Sequence, residues 1–267
     1  MSEFSTVEDT LYVPMLGRIY CSEHFPHVLK DEKALSLKDK LPQNLKGQDT
    51  QTQYTLMASA VRSTNMDRYI KKFQAENENG VVVLLGCGLE TTCYRCDNGK
   101  TVFYEVDLPE VVNYRREMLG ENERDRFIAA DAFGEEWIKA VRKDFPDSKI
   151  LVAASGLYYY FEEKKVTDLF KLLKNYGEIE LLFDTVNKSG MKQMAKYMNQ
   201  VGHSDAAMYF YVDHAEDLAQ KIGAQVLAEE PYYAHTDKKG LKLITSITMK
   251  ASDMLKMVKM VHLRLNG

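Results

Sequence analysis

Glycines and acids stand at the ends of successive apolar runs in this chain, and their types suit the holding of a nucleotide. Val81–Leu85 carries no charge and is followed by Gly86, Cys87 and Gly88. Such a run reads as a strand buried on both faces, and glycines at its carboxyl end let the backbone turn sharply and come close to a ligand. Thr101–Val106 reads as a second strand, leading into Asp107 and Leu108. Asp107 lies nineteen residues beyond Gly88, the distance at which a Rossmann-like unit brings a carboxylate to a ribose. Glu105 is two residues away on the same strand face, so both acids could reach one crevice. Arg126–Ala130 ends in Asp131, Ala132 and Phe133, a carboxylate for an exocyclic amine and a ring for the face of a base. Lys149–Ala154 ends in Ser155 and Gly156.

Other readings compete. A dinucleotide fingerprint needs a third glycine where Thr91 stands, which weakens an NAD-binding oxidoreductase as the alternative. A catalytically silent cofactor-binding scaffold is the third reading. Asp107 also starts a D-x-x-E pattern with Pro109 inside it, which predicts an Asp107-capped helix over Pro109–Leu119, closed by Gly120.

These elements imply one domain over 1–267: a helical lid region over 1–78, a Rossmann-like core over 79–250, and a carboxyl-terminal helix over 251–267. In the lid region, helices are expected over Leu11–Tyr20 and Tyr54–Phe73, with a polar loop around 42–51 between them. A helix over Glu162–Asn175 and a strand over Glu178–Asp184 follow, with the last two strands over 224–234 and 241–250. The tail beyond Lys250 holds too many apolar residues to hang free. Its helix is expected to pack on its own domain or on a second copy, which makes a homodimer possible.

Composition narrows the partners. A net charge of -4 offers no basic field for nucleic acid, and 45% apolar residues support a sizeable core. No apolar stretch approaches the ~20 residues of a membrane span, so a cytoplasmic protein without a membrane partner is expected. Cys93 and Cys96 form a C-x-x-C, but no second pair follows at zinc spacing, so no metal is expected.

LLGCGLETTCYR, FYEVDLPEV, IAADAF and AASGLYYYFEEKKVTDLF, in this order, resemble the leucine carboxyl methyltransferase superfamily. Within it the chain is most similar to the tetracenomycin-type branch of bacterial polyketide O-methyltransferases. The resemblance implies an α/β, Rossmann-like S-adenosylmethionine-dependent methyltransferase fold, with seven mostly parallel strands and the last antiparallel. It implies that Gly86, Cys87 and Gly88 lie along the methionine and ribose of S-adenosylmethionine. Asp107 would hold the ribose hydroxyls, Asp131 and Ala132 would meet adenine, and Ser155 with Gly156 would floor the sulfonium. Arg62 would pair with the methionine carboxylate. Arg18 matches a second basic residue less closely, and a solvated helix arginine is the reading preferred for it.

The resemblance also bears on the acceptor. Relatives that modify a protein phosphatase carry a glutamate where this chain has Ser155, so the expected acceptor is a small-molecule hydroxyl or carboxylate, polyketide-like in kind. The runs Tyr158–Phe161 and Tyr209–Tyr211 would suit a flat aromatic molecule. No catalytic residue is assigned. His203, His235 and Tyr209 are candidates only through their place in the region that covers the substrate.

Overall fold

The computed structural model describes residues 4–41, 51–200 and 208–266. Three helices come first: α1 (Phe4–His24), α2 (Glu32–Ser36) and α3 (Gln53–Glu76). Thr52 caps α3 by accepting the Thr55 N–H at 3.2 Å, one of the four donors that a helix start leaves without a partner.

Seven strands then form one sheet: β1 (Val81–Leu85), β2 (Val102–Asp107), β3 (Asp125–Ala129), β4 (Ile150–Ala154), β5 (Ile179–Val186), β6 (Ala224–Pro231) and β7 (Val258–Leu265). Their order is β3-β2-β1-β4-β5-β7-β6, with β7 antiparallel to both neighbours and the first five strands parallel. The order reverses between β1 and β4, the position where open α/β sheets open a ligand crevice. Helices α4 (Thr92–Cys96), α5 (Pro109–Leu119), α6 (Glu136–Asp144), α7 (Glu163–Leu173), α8 (Lys188–Gln200), α9 (Ala215–Ile222) and α10 (Leu243–Met254) complete the described chain.

Strand alternation divides the core. Val81, Val83 and Leu85 pack with Trp137, Val166 and Phe170 on one face, while Val82 and Leu84 pack with Ile70 and Phe73 of α3 on the other. Both faces are dry, which is why β1 can be apolar at every position.

Two expectations need correcting. The tail over 251–267 is not one helix: α10, which stands where a strand over 241–250 was expected, ends at Met254, and β7 occupies Val258–Leu265. Leu243–Thr248 is rich in β-branched residues, which favour strands, but tertiary context sets the outcome. The polar side chains of β7 find acids across the sheet. Lys259 donates to Glu229 at 2.7 Å, His262 meets Glu180 at 2.8 Å and Arg264 donates to Glu180 at 2.9 Å. Those partners lie far away in sequence, so the strand could not be recognised locally.

The second correction is at α5. Its limits are as expected, with Pro109 first and Gly120 after the end, but Leu108 occupies the cap position and no side chain caps the helix. Asp107 is engaged elsewhere, as described next.

Candidate functional site

The carboxyl ends of β1, β2, β4 and β5 form the site. Gly86 and Gly88 adopt φ of 62° and 47°, the left-handed region that penalises a side chain, and Gly86 N–H donates to Val106 O at 2.9 Å. A methyl group on Gly86 would lie 2.8 Å from Leu157, and one on Gly88 would lie 3.0 Å from Leu11 of α1. The turn is therefore roofed by the loop after β4 and by the first helix, the placement expected of a lid.

Asp107 is half-buried beside this turn. Its carboxylate accepts Gly88 N–H at 2.8 Å and Leu108 N–H at 2.8 Å, and burial raises its pKa. Leu108 is exposed. Asp131 is exposed at the end of β3 and accepts Phe133 N–H at 2.9 Å, while the carbonyl of buried Ala132 is held by the Trp137 indole at 3.1 Å. The Phe133 ring packs on Phe161 at 4.3 Å, with the Lys165 ammonium over both.

The β4 and β5 ends complete the edge. Gly156 has φ 71°, and its N–H donates to Asp184 at 2.7 Å. Asp184 also accepts the buried Tyr159 hydroxyl at 2.8 Å. Arg62 reaches in from α3, with Nη1 3.7 Å from Asp184 and Nε buried without a hydrogen-bond partner. The Ser155 hydroxyl is also buried and unpartnered, facing a cavity of about 10 Å³ shared with Gly86, Cys87 and Glu90, room for about one water. Guanidinium donors not fully engaged, beside a glycine turn, fit a ligand carboxylate.

Gly156 leaves no room for a side chain, because a Cβ there would collide with the Arg62 guanidinium. Gly156→Ala is therefore expected to displace Arg62 and weaken S-adenosylhomocysteine binding at least tenfold. The positive φ adds roughly 1–2 kcal/mol of destabilisation. Calorimetric titration alongside a thermal melt checks this, and unchanged affinity would show that Arg62 is not fixed by Gly156.

Glu105 does not reach the crevice. It is fully buried and meets Arg115 at 3.0 Å, and Arg115 in turn donates to the carbonyls of Gly88 at 3.0 Å and Glu90 at 2.6 Å. Asp125 is buried in the same cluster, so two carboxyls face one guanidinium. Burial pushes Glu105 up to about 8 against the pull of Arg115, and it raises Asp125 too. Glu105 thus acts on the glycine turn from beneath, through Arg115.

Arg18 is not a solvated helix arginine. It is 1% exposed, and its guanidinium donates to Asp31 at 3.1 Å, to Leu89 O at 2.7 Å and to Glu90. Arg95, from the Y-R pair after the glycines, joins the same network through Asp67 at 2.8 Å and Asp31 at 2.7 Å. Burial disfavours the charge of Glu90, but Arg18, Arg95 and Arg62 outweigh it and hold the carboxyl down to about 2. Thr91, where the third glycine would be, is buried and donates to Asp31. This network fastens α1, α2 and α3 to the start of α4.

The acceptor-side candidates scatter. Tyr209 is half-exposed, and its N–H donates to Tyr159 O at 2.7 Å, which keeps it by the β5 end. His235 is exposed and pairs with Glu230 at 3.2 Å, in a separate cluster with Arg68. His203 lies outside the described residues. A groove of about 800 Å³ between α2, α3 and α4, lined by Lys33, Asp67, Lys71 and Arg95, includes none of the glycine-turn residues.

Comparison with known proteins gives this arrangement a family. The family model for leucine carboxyl methyltransferase matches residues 15–174. The chain belongs to the leucine carboxyl methyltransferase family. The match runs from within α1 through α7 and so includes every sheet-edge residue described above except Asp184. The tetracenomycin polyketide synthesis O-methyltransferase TcmP of Streptomyces glaucescens is 24% identical over 218 residues, which cover 81% of this chain and 79% of that one. Among solved structures, a DUF574 family protein from Streptomyces avermitilis superposes with TM-score 0.58 at 12% identity, covering 93% of this chain and 96% of that one. The plantazolicin methyltransferase BpumL, solved with a triazolic desmethylPZN analog and SAH, gives TM-score 0.51 at 11% identity, covering 97% and 100%. By family and fold this is an S-adenosylmethionine-dependent methyltransferase.

Sequence reading passed over Asp184, Glu90 and Arg115, and it read Tyr159 as an acceptor-side ring and not as the partner of Asp184. Asp184 had a signal, since like Asp107 and Asp131 it is an acid at the end of a parallel strand. The other three depend on contacts between distant segments.

Proposed function

We propose that this family member methylates an oxygen, hydroxyl or carboxylate, of a small polyketide-like aromatic molecule. The observation that carries the reading is one sheet edge holding the open donors of Arg62, the Gly86–Gly88 turn, and the carboxylates of Asp107 and Asp131. Arg62 pairs with the methionine carboxylate, and Asp107 takes the ribose hydroxyls while pinning Gly88. Asp131 and Ala132 meet adenine, and Ser155 and Gly156 line the sulfonium end with Cys87 behind them. When bound, S-adenosylmethionine supplies a methyl group activated by positive sulfur.

The protein's own part is positioning, since holding an acceptor oxygen in line with a methyl group removes much of the entropic barrier. Tyr160 and Tyr209, at 40% and 52% exposure, adjoin Tyr159, which holds Asp184, and give that end aromatic surface for a flat acceptor. The absence of the glutamate at Ser155 favours a small molecule over a protein carboxylate. The -4 net charge disfavours nucleic acid as acceptor. The lid and sheet act as one domain, with α1 and α3 closing over the sheet edge.

S-adenosylhomocysteine at 100 times its dissociation constant is expected to stabilise the protein by about 2.7 kcal/mol, raising Tm by about 5 to 10 °C. NAD should leave the melt unchanged. Transfer of labelled methyl to a panel of aromatic hydroxyls and carboxylates then separates an enzyme from a silent binder. A melt indifferent to millimolar S-adenosylhomocysteine would reject the reading.

A further inference from the structure

Helix α10 faces the wrong way for an ordinary surface helix. It buries Thr245, Met249 and Ser252 and turns Leu243, Ile244 and Ile247 outward at 77, 68 and 51% exposure. Met254 and Leu255 continue the stripe at 79 and 59%. At the helical repeat these five residues fall within about 120° of one another. Both ends are clamped: Lys242 N–H donates to Gln53 of α3 at 2.7 Å, and Asn187, just before α8, donates to Leu255 O at 3.0 Å. The stripe therefore cannot turn inward without breaking both anchors.

Exposed lysines flank it: Lys239 and Lys242 before the helix, Lys250 along it and Lys256 after it. The acids of this segment are Asp237 and Asp253, and each accepts a backbone N–H, from Lys239 and Tyr233 respectively. We propose that α10 docks on an anionic phospholipid surface, lying in the interface plane with its aliphatic stripe in the acyl boundary and its lysines at the phosphates.

Charge chooses this occupant. An antiparallel pair of α10 helices would set Lys242 of one copy against Lys256 of the other, and a parallel pair would set each lysine against its own counterpart. Like charges would meet in either two-fold arrangement. Protein interfaces deplete lysine and favour arginine, methionine and aromatic residues, and of these the stripe has Met254 alone. An anionic surface neutralises all the lysines together, which is how amphipathic helices bind membrane interfaces. No helix among the described residues is long and apolar enough to cross a membrane. The expectation of no membrane partner rested on the lack of a spanning stretch, and a helix that lies flat needs none.

The test is co-sedimentation of the full chain with phosphatidylcholine vesicles, with and without phosphatidylglycerol. Binding is expected only with phosphatidylglycerol, at least tenfold stronger at low salt than at high salt. Ile244→Asn combined with Ile247→Asn should abolish it with all lysines in place, and a thermal melt should be unchanged because both side chains are exposed. Lys242→Gln combined with Lys250→Gln should weaken it about 30-fold. No binding by the parent, or equal binding by the isoleucine variant, overturns the proposal. Concentration-dependent dimerisation lost in the isoleucine variant also overturns it and assigns the stripe to a second copy.

Discussion

With Arg62 replaced by lysine, affinity for S-adenosylhomocysteine is expected to fall roughly 10- to 100-fold, while adenosine binds as before. Charge-assisted hydrogen bonds contribute about 1.5–3 kcal/mol each, and a lysine keeps the charge but loses the planar fork that can grip both carboxylate oxygens. The site is built for the fork. Nε has no partner and Nη1 stands 3.7 Å from Asp184, near enough to orient the guanidinium but leaving its donors open. Adenosine lacks the carboxylate, so its binding reports whether the variant disturbed the glycine turn instead. Calorimetric titration of parent and variant with both ligands gives the answer, and equal S-adenosylhomocysteine affinity would remove Arg62 from the cofactor site.

Arg115→Met is expected to destabilise the fold by about 2–6 kcal/mol, since two buried carbonyls lose their donor and each unsatisfied group costs about 1–3 kcal/mol. Arg115 is fully buried against Glu105, with Asp125 close by, and it is the donor for two carbonyls of the glycine turn. Cofactor affinity should fall with stability, since Gly88 O and Glu90 O lose their anchor. A gentler variant isolates the electrostatics. Glu105 has a folded pKa of about 8 against an ordinary value of 4.5, so between those values the folded state holds more protons than the unfolded chain. Stability from this group is full below the ordinary value and is lost as pH rises through about 8. Glu105→Gln removes the titrating group, so it should flatten that part of the stability profile. Urea unfolding at about pH 5 and about pH 8.5 measures the difference, and an unchanged slope would show that Glu105 stays ionised throughout.

What could be read from the sequence was local. Val81–Leu85 followed by glycines, and acids at the ends of the next two strands, report strand, turn and crevice because each signal lies within a few residues of its cause. The limits of α5 were legible for the same reason, since proline at a first turn and glycine after a last one act through their own backbone. The seven-stranded arrangement followed from the family resemblance carried by those motifs. Tertiary structure decided what depends on distant partners. Glu105 and Asp107 share a strand face, yet Arg115 takes one into the core while the other holds Gly88 N–H at the edge. Arg18 looks like a surface cation until Asp31 and Glu90 close on it. The apolar tail beyond Lys250 read as a helix, and only the acids on β6 and β5 that meet Lys259, His262 and Arg264 make β7 a buried strand. Burial of charge depends on which charge arrives opposite, and local sequence does not carry that information.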